Sequence, residues 1–180
     1  MKKTIRVKDK EFTPFISEHK IQRAVKQIAQ KVNQDMAGKV PLFLVILNGA
    51  FIFASDLLRK VTVDCDITFV KLASYEGTST TASVKELIGL GEAVKDRTVI
   101  IVEDIVDTGI TIDHVIRMLK TMEASDVKVA AIFFKPDAFQ KDFGIDYKGM
   151  DLPVDFVVGY GLDYDGFGRN HPCLFRLIKQ

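Results

Sequence analysis

Apolar residues in this chain fall into two alternating patterns, stretches of strand length and faces at helical spacing. The runs lie at residues 41–47, 64–74, 99–102, 127–134 and 154–160 and are rich in Val, Ile, Leu and Phe. Runs of this kind suit strands covered on both faces of a sheet. Between them come helical faces. Ile21, Ala24, Val25, Ile28, Ala29, Val32 and Met36 form one, with Ser17 placed as its N-cap and Gly38 as a C′ residue. Phe51, Ile52, Ala54, Leu57 and Leu58 mark a second helix, and Ile112, Val115, Ile116, Leu119 and Met122 a third. Strands alternating with helices predict an α/β fold, with a mostly parallel open sheet flanked by helices and joined by short connections. Residues 1–16 and 150–180 are expected to supply a small cap near the strand ends.

Residues 75–83, YEGTSTTAS, are small and polar, and 84–88 follow as an edge-strand candidate. Together they read as a hairpin that projects from the sheet, of a composition that suggests disorder without ligand and order with it. Limited proteolysis of the free protein should cut within 75–83, with protection once its ligand is bound. Equal cleavage in both states would count against a lid.

Chemistry collects where the strands end. The 99–102 run is followed by two adjacent carboxylates, Glu103 and Asp104, and then by Asp107-Thr108-Gly109-Ile110-Thr111 at the start of the third helix. In open parallel sheets ligands sit at C-terminal strand ends, and helix N-termini bind anions through free N–H groups. Gly109 lets the backbone approach an anion or take a positive φ. Thr108 and Thr111 add hydroxyl donors. Glu103 and Asp104 would repel phosphate and suit sugar hydroxyls or a hard cation such as Mg2+. Asp107 is either a helix cap or a base. Taken singly, each carboxylate reads as a cap or a solvated turn. Three around one Thr-Gly-x-Thr loop, at the end of a buried strand, read as a site.

Other strand ends carry weaker signals. Asn48-Gly49 follows the 41–47 run and reads as an ordinary turn. Lys135 follows the 127–134 run, and Asp163 and Arg169 follow the 154–160 run. Gly89-Leu90-Gly91 lacks the third glycine and the following helix of a dinucleotide fingerprint, and no Walker A sequence occurs. His19 and His114 read as solvated, and His171 has no neighbouring His or Cys to complete a metal set.

Composition narrows the class. A length of 180 residues fits a single domain, 1–180, with a substantial core. Lys plus Arg at 25 balances Asp plus Glu at 24, so no field favours nucleic acid or membrane. Cys65 and Cys173 both lie in apolar stretches and read as small buried residues. The Met-Lys-Lys start lacks the apolar region of a signal peptide and no long apolar span occurs, so a cytoplasmic location is expected.

The segment Val99-Ile100-Ile101-Val102-Glu103-Asp104-Ile105-Val106-Asp107-Thr108-Gly109-Ile110-Thr111 resembles, throughout, the phosphoribosyl-pyrophosphate motif of the type I phosphoribosyltransferases. From about residue 41 to 169 the chain is similar to their 6-oxopurine branch, the hypoxanthine–guanine phosphoribosyltransferases. The resemblance assigns Leu47, Asn48 and Gly49 to a pyrophosphate loop, with a cis peptide between Leu47 and Asn48. Asn48 stands where the family commonly has Lys, so only backbone donation carries over there. Ser74 and Tyr75 match the start of the lid, and Lys135 the lysine that reads the purine 6-oxo group. Phe156 matches the aromatic that stacks on the base, Val157 its backbone contact, Asp163 a Mg2+-linked aspartate and Arg169 a pyrophosphate contact. Ile110 stands where some relatives have Lys or Leu, and Gly168 replaces a usual aromatic.

What the resemblance implies is purine salvage: hypoxanthine or guanine plus 5-phosphoribosyl 1-pyrophosphate gives IMP or GMP and pyrophosphate. Glu103 and Asp104 would hold ribose hydroxyls, the 107–111 loop the 5′-phosphate, and Asp107 a base proton. Mg2+ is the implied cofactor, with Glu103, Asp104 and Asp163 as its candidate ligands. The implied partners are these small molecules and one or three further copies of the chain. Two other readings stand beside it. A regulator that binds phosphoribosyl pyrophosphate without turnover would need neither Lys135 nor Phe156. A transferase for another base, such as xanthine, would keep the whole motif.

Overall fold

The computed structural model describes residues 3–74, 84–88 and 94–178. Two sheets organise it. The larger has six strands: β3 (Leu42–Leu47), β4 (Asp66–Ser74), β5 (Val84–Ile88), β6 (Thr98–Val106), β7 (Asp126–Phe134) and β8 (Tyr147–Asp151). Their order is β5-β4-β3-β6-β7-β8, parallel throughout except for β5, which runs antiparallel along β4. Helices α1 (Glu18–Asp35) and α2 (Phe51–Leu58) cover one face, packing on Phe43, Val45, Ile100, Val102 and Ile132. Helix α3 (Ile110–Thr121) covers the other, on Leu44, Ile46, Val99, Ile101 and Ala131. Successive residues of β3 and β6 thus serve opposite layers, which is why their runs are apolar without interruption. Each such side chain contributes about 1.5–3 kcal/mol by leaving water.

The helices start where the pattern places them. Ser17 is the N-cap of α1, and its Oγ accepts a hydrogen bond from the Lys20 amide at 3.4 Å. The predicted face of α1 is buried from Ile21 through Val32. The C-cap is Met36, so Gly38 follows one residue beyond C′, with φ +74°.

The second sheet is antiparallel and holds β1 (Ile5–Val7), β2 (Lys10–Ile16), β9 (Val157–Val158) and β10 (Leu174–Leu177), in the order β1-β2-β10-β9. It is the cap made from both ends of the chain, with its own small core of Val7, Phe12, Val158, Cys173 and Phe175. Three expectations need correction here. The 154–160 run is no strand of the main sheet: only Val157 and Val158 pair, and they pair with β10. Positive φ at Gly159, Tyr160 and Gly161 turns the chain away from extended geometry. The sixth strand of the main sheet is instead β8, whose sequence YKGMD has no apolar run because it is an edge strand. Finally, Cys65 is half-buried, whereas Cys173 is buried as expected.

Candidate active site

The crevice opens at the C-terminal ends of β3 and β6. Strand β6 runs on through Val106, so Glu103 and Asp104 lie inside it and do not form a solvated turn. They are 8% and 7% exposed. The Asp104 carboxylate lies against Gly49, in the turn between β3 and α2. The Asp104 amide donates to Glu103 Oε1 at 3.1 Å, and the Ile105 amide to Asp104 Oδ1 at 2.8 Å. Burial, with the neighbouring Asp104 carboxylate second, pushes the Glu103 carboxyl well above its ordinary range. Burial likewise raises Asp104, against the pull of its hydrogen bonds and of the Arg169 guanidinium.

Two buried carboxyls with raised pKa values stabilise the fold most when protonated. Their contribution is complete below the ordinary carboxylate range and is lost as pH rises above it. Glu103→Gln should therefore raise the thermal midpoint at neutral pH, by about 2–4 °C for each kcal/mol of repulsion removed. The gain should vanish near about pH 3, below the ordinary glutamate value of about 4.3. Thermal unfolding at both pH values decides it, and a lower midpoint for the variant at neutral pH would refute it.

The turn after β3 packs directly on this pair. The Leu47–Asn48 peptide is cis, as expected. A Cβ on Gly49 would fall on the Asp104 carboxylate, so only glycine lets this backbone pass. A Cβ on Gly161, whose φ is +99°, would fall on the Gly49 carbonyl oxygen. Cap loop, turn and carboxylate are thus stacked without room for side chains. The same cap loop carries Asp163 and Arg169, which pair at 2.7 Å. Arg169 Nη1 also donates to the Gly161 carbonyl at 2.6 Å, and the Gly166 amide to Asp163 Oδ2 at 2.6 Å.

On the other side lies the 107–111 loop. Gly109 is the N-cap of α3, with φ +82° and no side-chain cap. The first amides of a helix have no intrahelical partner, and here they face the crevice mouth with Thr108 and Thr111 beside them. Asp107 is half-exposed, and its Oδ2 accepts from Lys135 Nζ at 2.6 Å. The Lys135 side chain is only 11% exposed. Its backbone amide donates to the Val106 carbonyl at 2.9 Å, which holds the two strand ends together.

Leu47, Gly49, Glu103, Asp104, the whole 107–111 loop, Asp163 and Arg169 line one crevice of about 340 Å³. Lys135 meets it only through Asp107. Phe156 and Val157 stand apart from that lining. Phe156 is 44% exposed on the cap and is braced by Phe12 and Tyr164, with ring centroids at 6.2 and 5.8 Å. Val157 is buried in β9. Asn48 is exposed, Ser74 ends β4, and Tyr75 lies outside the described residues, as does the 75–83 lid. Among the described residues, no three His, Cys, Asp or Glu side chains gather as a metal cage. The site also uses walls that the sequence does not single out: Ile46, Leu72, Ile105, Val106 and Ile112. As apolar members of ordinary elements they carry no separate signal. Gly161 and Tyr164 were equally silent, although a glycine on each side of Tyr160 is a turn signal in retrospect.

Paired carboxylates, a helix start with no side-chain cap and a cap-borne arginine thus surround one crevice at the strand ends, the arrangement of an α/β protein with a polar ligand site. The model of the phosphoribosyl transferase domain matches residues 16–165. A hypoxanthine-guanine phosphoribosyltransferase of Streptococcus thermophilus is 38% identical over 159 residues, 88% of each chain. One of Bacillus subtilis is 34% identical over 162 residues, 89% of each chain. A solved hypoxanthine phosphoribosyltransferase of Staphylococcus aureus superposes with a TM-score of 0.88 at 31% identity, covering 92% of this chain and 91% of that one. The chain belongs to the phosphoribosyltransferase family, in its hypoxanthine–guanine branch.

Proposed function

We propose that the chain joins hypoxanthine or guanine to 5-phosphoribosyl 1-pyrophosphate, giving IMP or GMP and pyrophosphate. The observation that carries this is the buried Glu103–Asp104 pair beside the open start of α3, with the Lys135–Asp107 pair at the same crevice. A regulator that only holds the sugar phosphate has no use for a nearly buried lysine ion-paired to the last motif carboxylate.

The roles follow from donor and acceptor chemistry. Glu103 and Asp104 accept from the ribose hydroxyls, which replace the water that burial removed. The amides of 108–111 and the hydroxyls of Thr108 and Thr111 donate to the 5′-phosphate. The backbone of Leu47, Asn48 and Gly49, with Arg169, receives the pyrophosphate. Phe156 stacks on the base, the Val157 backbone reads its edge, and Lys135 donates to the 6-oxygen. A purine ring nitrogen forms the bond to the anomeric carbon as the bond to pyrophosphate oxygen breaks. Asp107 accepts the proton that the ring nitrogen gives up. Ser74 and Tyr75 begin the lid that keeps water from the activated sugar.

Mg2+ fits the donor set in a particular way. The carboxylate oxygens of Glu103, Asp104 and Asp163 are hard ligands, but they do not close a cage. Mg2+ keeps several waters and commonly binds through one or two carboxylates plus substrate phosphates. Glu103, Asp104 and Asp163 would hold it so, and a cation there would supply charge neutralisation for the leaving pyrophosphate. The chain would work in the cytoplasm, as two or four copies; no helix among the described residues is long and apolar enough to cross a membrane.

The test is nucleotide formation from a panel of bases with phosphoribosyl pyrophosphate and Mg2+. Product from hypoxanthine and guanine, and none from adenine or uracil, is the expected result. Binding of the sugar phosphate with no product from any base would leave a regulator.

A further inference from the structure

The 107–111 loop has little to hold it from within. The Ile110 amide reaches Thr108 Oγ1 only at 3.5 Å, and Gly109 offers no capping side chain. The loop is held from behind by the connection between β7 and β8. The Gln140 amide donates to the Thr108 carbonyl at 3.2 Å. The ring of Phe139 lies flush against Gly109: a Cβ there would come within 2.5 Å of Phe139 Cε2 and 3.0 Å of Lys141 Cγ. Lys141 Nζ then reaches Asp113, in the first turn of α3, at 3.2 Å. Phe139 is itself fixed between Phe134 and Phe143, edge to face, with centroids at 5.2 and 5.1 Å. Phe139, Gln140, Lys141 and Asp113 are not among the residues that line the crevice.

We propose that Phe139 is a positioning residue for the 5′-phosphate: its ring backs Gly109 and sets the amides of 108–111 at binding distance. This rests on the reading of that loop given under the proposed function. The fit is two-sided. Gly109 has no side chain because the ring occupies that space, and the ring keeps a glycine, conformationally the loosest residue, from relaxing out of its positive φ. Edge-to-face packing between two other rings suits a rigid buttress better than an aliphatic side chain, which has more rotamers.

The test compares the wild-type chain with Phe139→Ala and Phe139→Leu. Two fragments of the substrate, ribose 5-phosphate and pyrophosphate, are used as inhibitors in the presence of Mg2+. Phe139→Ala should weaken inhibition by ribose 5-phosphate by about tenfold or more, since misplacing binding groups by ~1 Å can cost ~10²-fold. Phe139→Leu should give a smaller loss, and pyrophosphate should inhibit all three proteins alike. Equal weakening of both inhibitors means general loss of structure and overturns the proposal. Undiminished inhibition by ribose 5-phosphate overturns it as well. A wild-type chain that forms no nucleotide overturns the assigned function, and this inference with it. A wild type that turns over, beside a Phe139→Ala chain that matches it, overturns the inference alone.

Discussion

Asp107→Asn should lower turnover by roughly 10²–10⁴-fold, the usual worth of a positioned acid–base group, while phosphoribosyl pyrophosphate binding changes far less. Asp107 is the motif carboxylate that lies outside the buried pair, and it is half-exposed at the crevice mouth. The backbone of the 107–111 loop, to which the proposal assigns the phosphate, does not need its charge. The ion pair with Lys135 adds a second reason for a large effect. An amide in place of the carboxylate can still accept one hydrogen bond from Lys135 but leaves a nearly buried ammonium without its counter-charge. The Asp107 side is solvated, so that electrostatic loss is smaller than for a fully buried pair. Steady-state kinetics at saturating substrates give the answer. Near-normal turnover would reduce Asp107 to a partner of Lys135 and a helix-start residue.

The second large effect concerns the base. Lys135→Met should lower kcat/KM with hypoxanthine and narrow the hypoxanthine-to-adenine gap. An ammonium has three donors and no acceptor. One donor is taken by Asp107 and no other partner occurs among the described residues, which leaves donors for an acceptor oxygen such as the 6-oxo group. Adenine presents an amino group there, which also donates, so a poorly solvated charge would face a donor. Sites that pair a polar group of the substrate reject analogues by ~10⁴-fold or more. Methionine keeps the length of the lysine stem and removes the charge. The measurement is kcat/KM for both bases in both proteins. An unchanged ratio would assign base choice to the Val157 backbone or the shape of the pocket, and leave Lys135 as the partner of Asp107 alone.

Both departures from the family pattern have a local setting. Gly168 has φ +96°, a conformation that a side chain makes costly. The loop that carries Arg169 is therefore built on glycine in this chain. Asn48 is exposed, and the Phe51 amide meets its carbonyl at 3.5 Å at the start of α2.

The segment from Thr98 to Met122 was legible from the residues alone, because everything it does is local. An apolar run makes a covered strand, Asp-Thr-Gly makes a turn with positive φ, and helical spacing makes α3 with an open N-terminus. Patterns of period two and 3.6 register only near neighbours, and here near neighbours were enough. They could not report that Glu103 and Asp104 are buried, because burial depends on other parts of the chain: Gly49 lies against Asp104, and Gly161 packs on Gly49 in turn. Nor could they pair Lys135 with Asp107, or set Phe139 behind Gly109, since strand order brings those residues together. The 154–160 run shows the same limit. Val154, Phe156, Val157 and Val158 give it the apolar content of a strand, but the turn at 159–161 and the register with β10 place the paired residues in the cap. An apolar run says that a segment will be covered. Which layer covers it is decided by contacts between residues far apart in sequence.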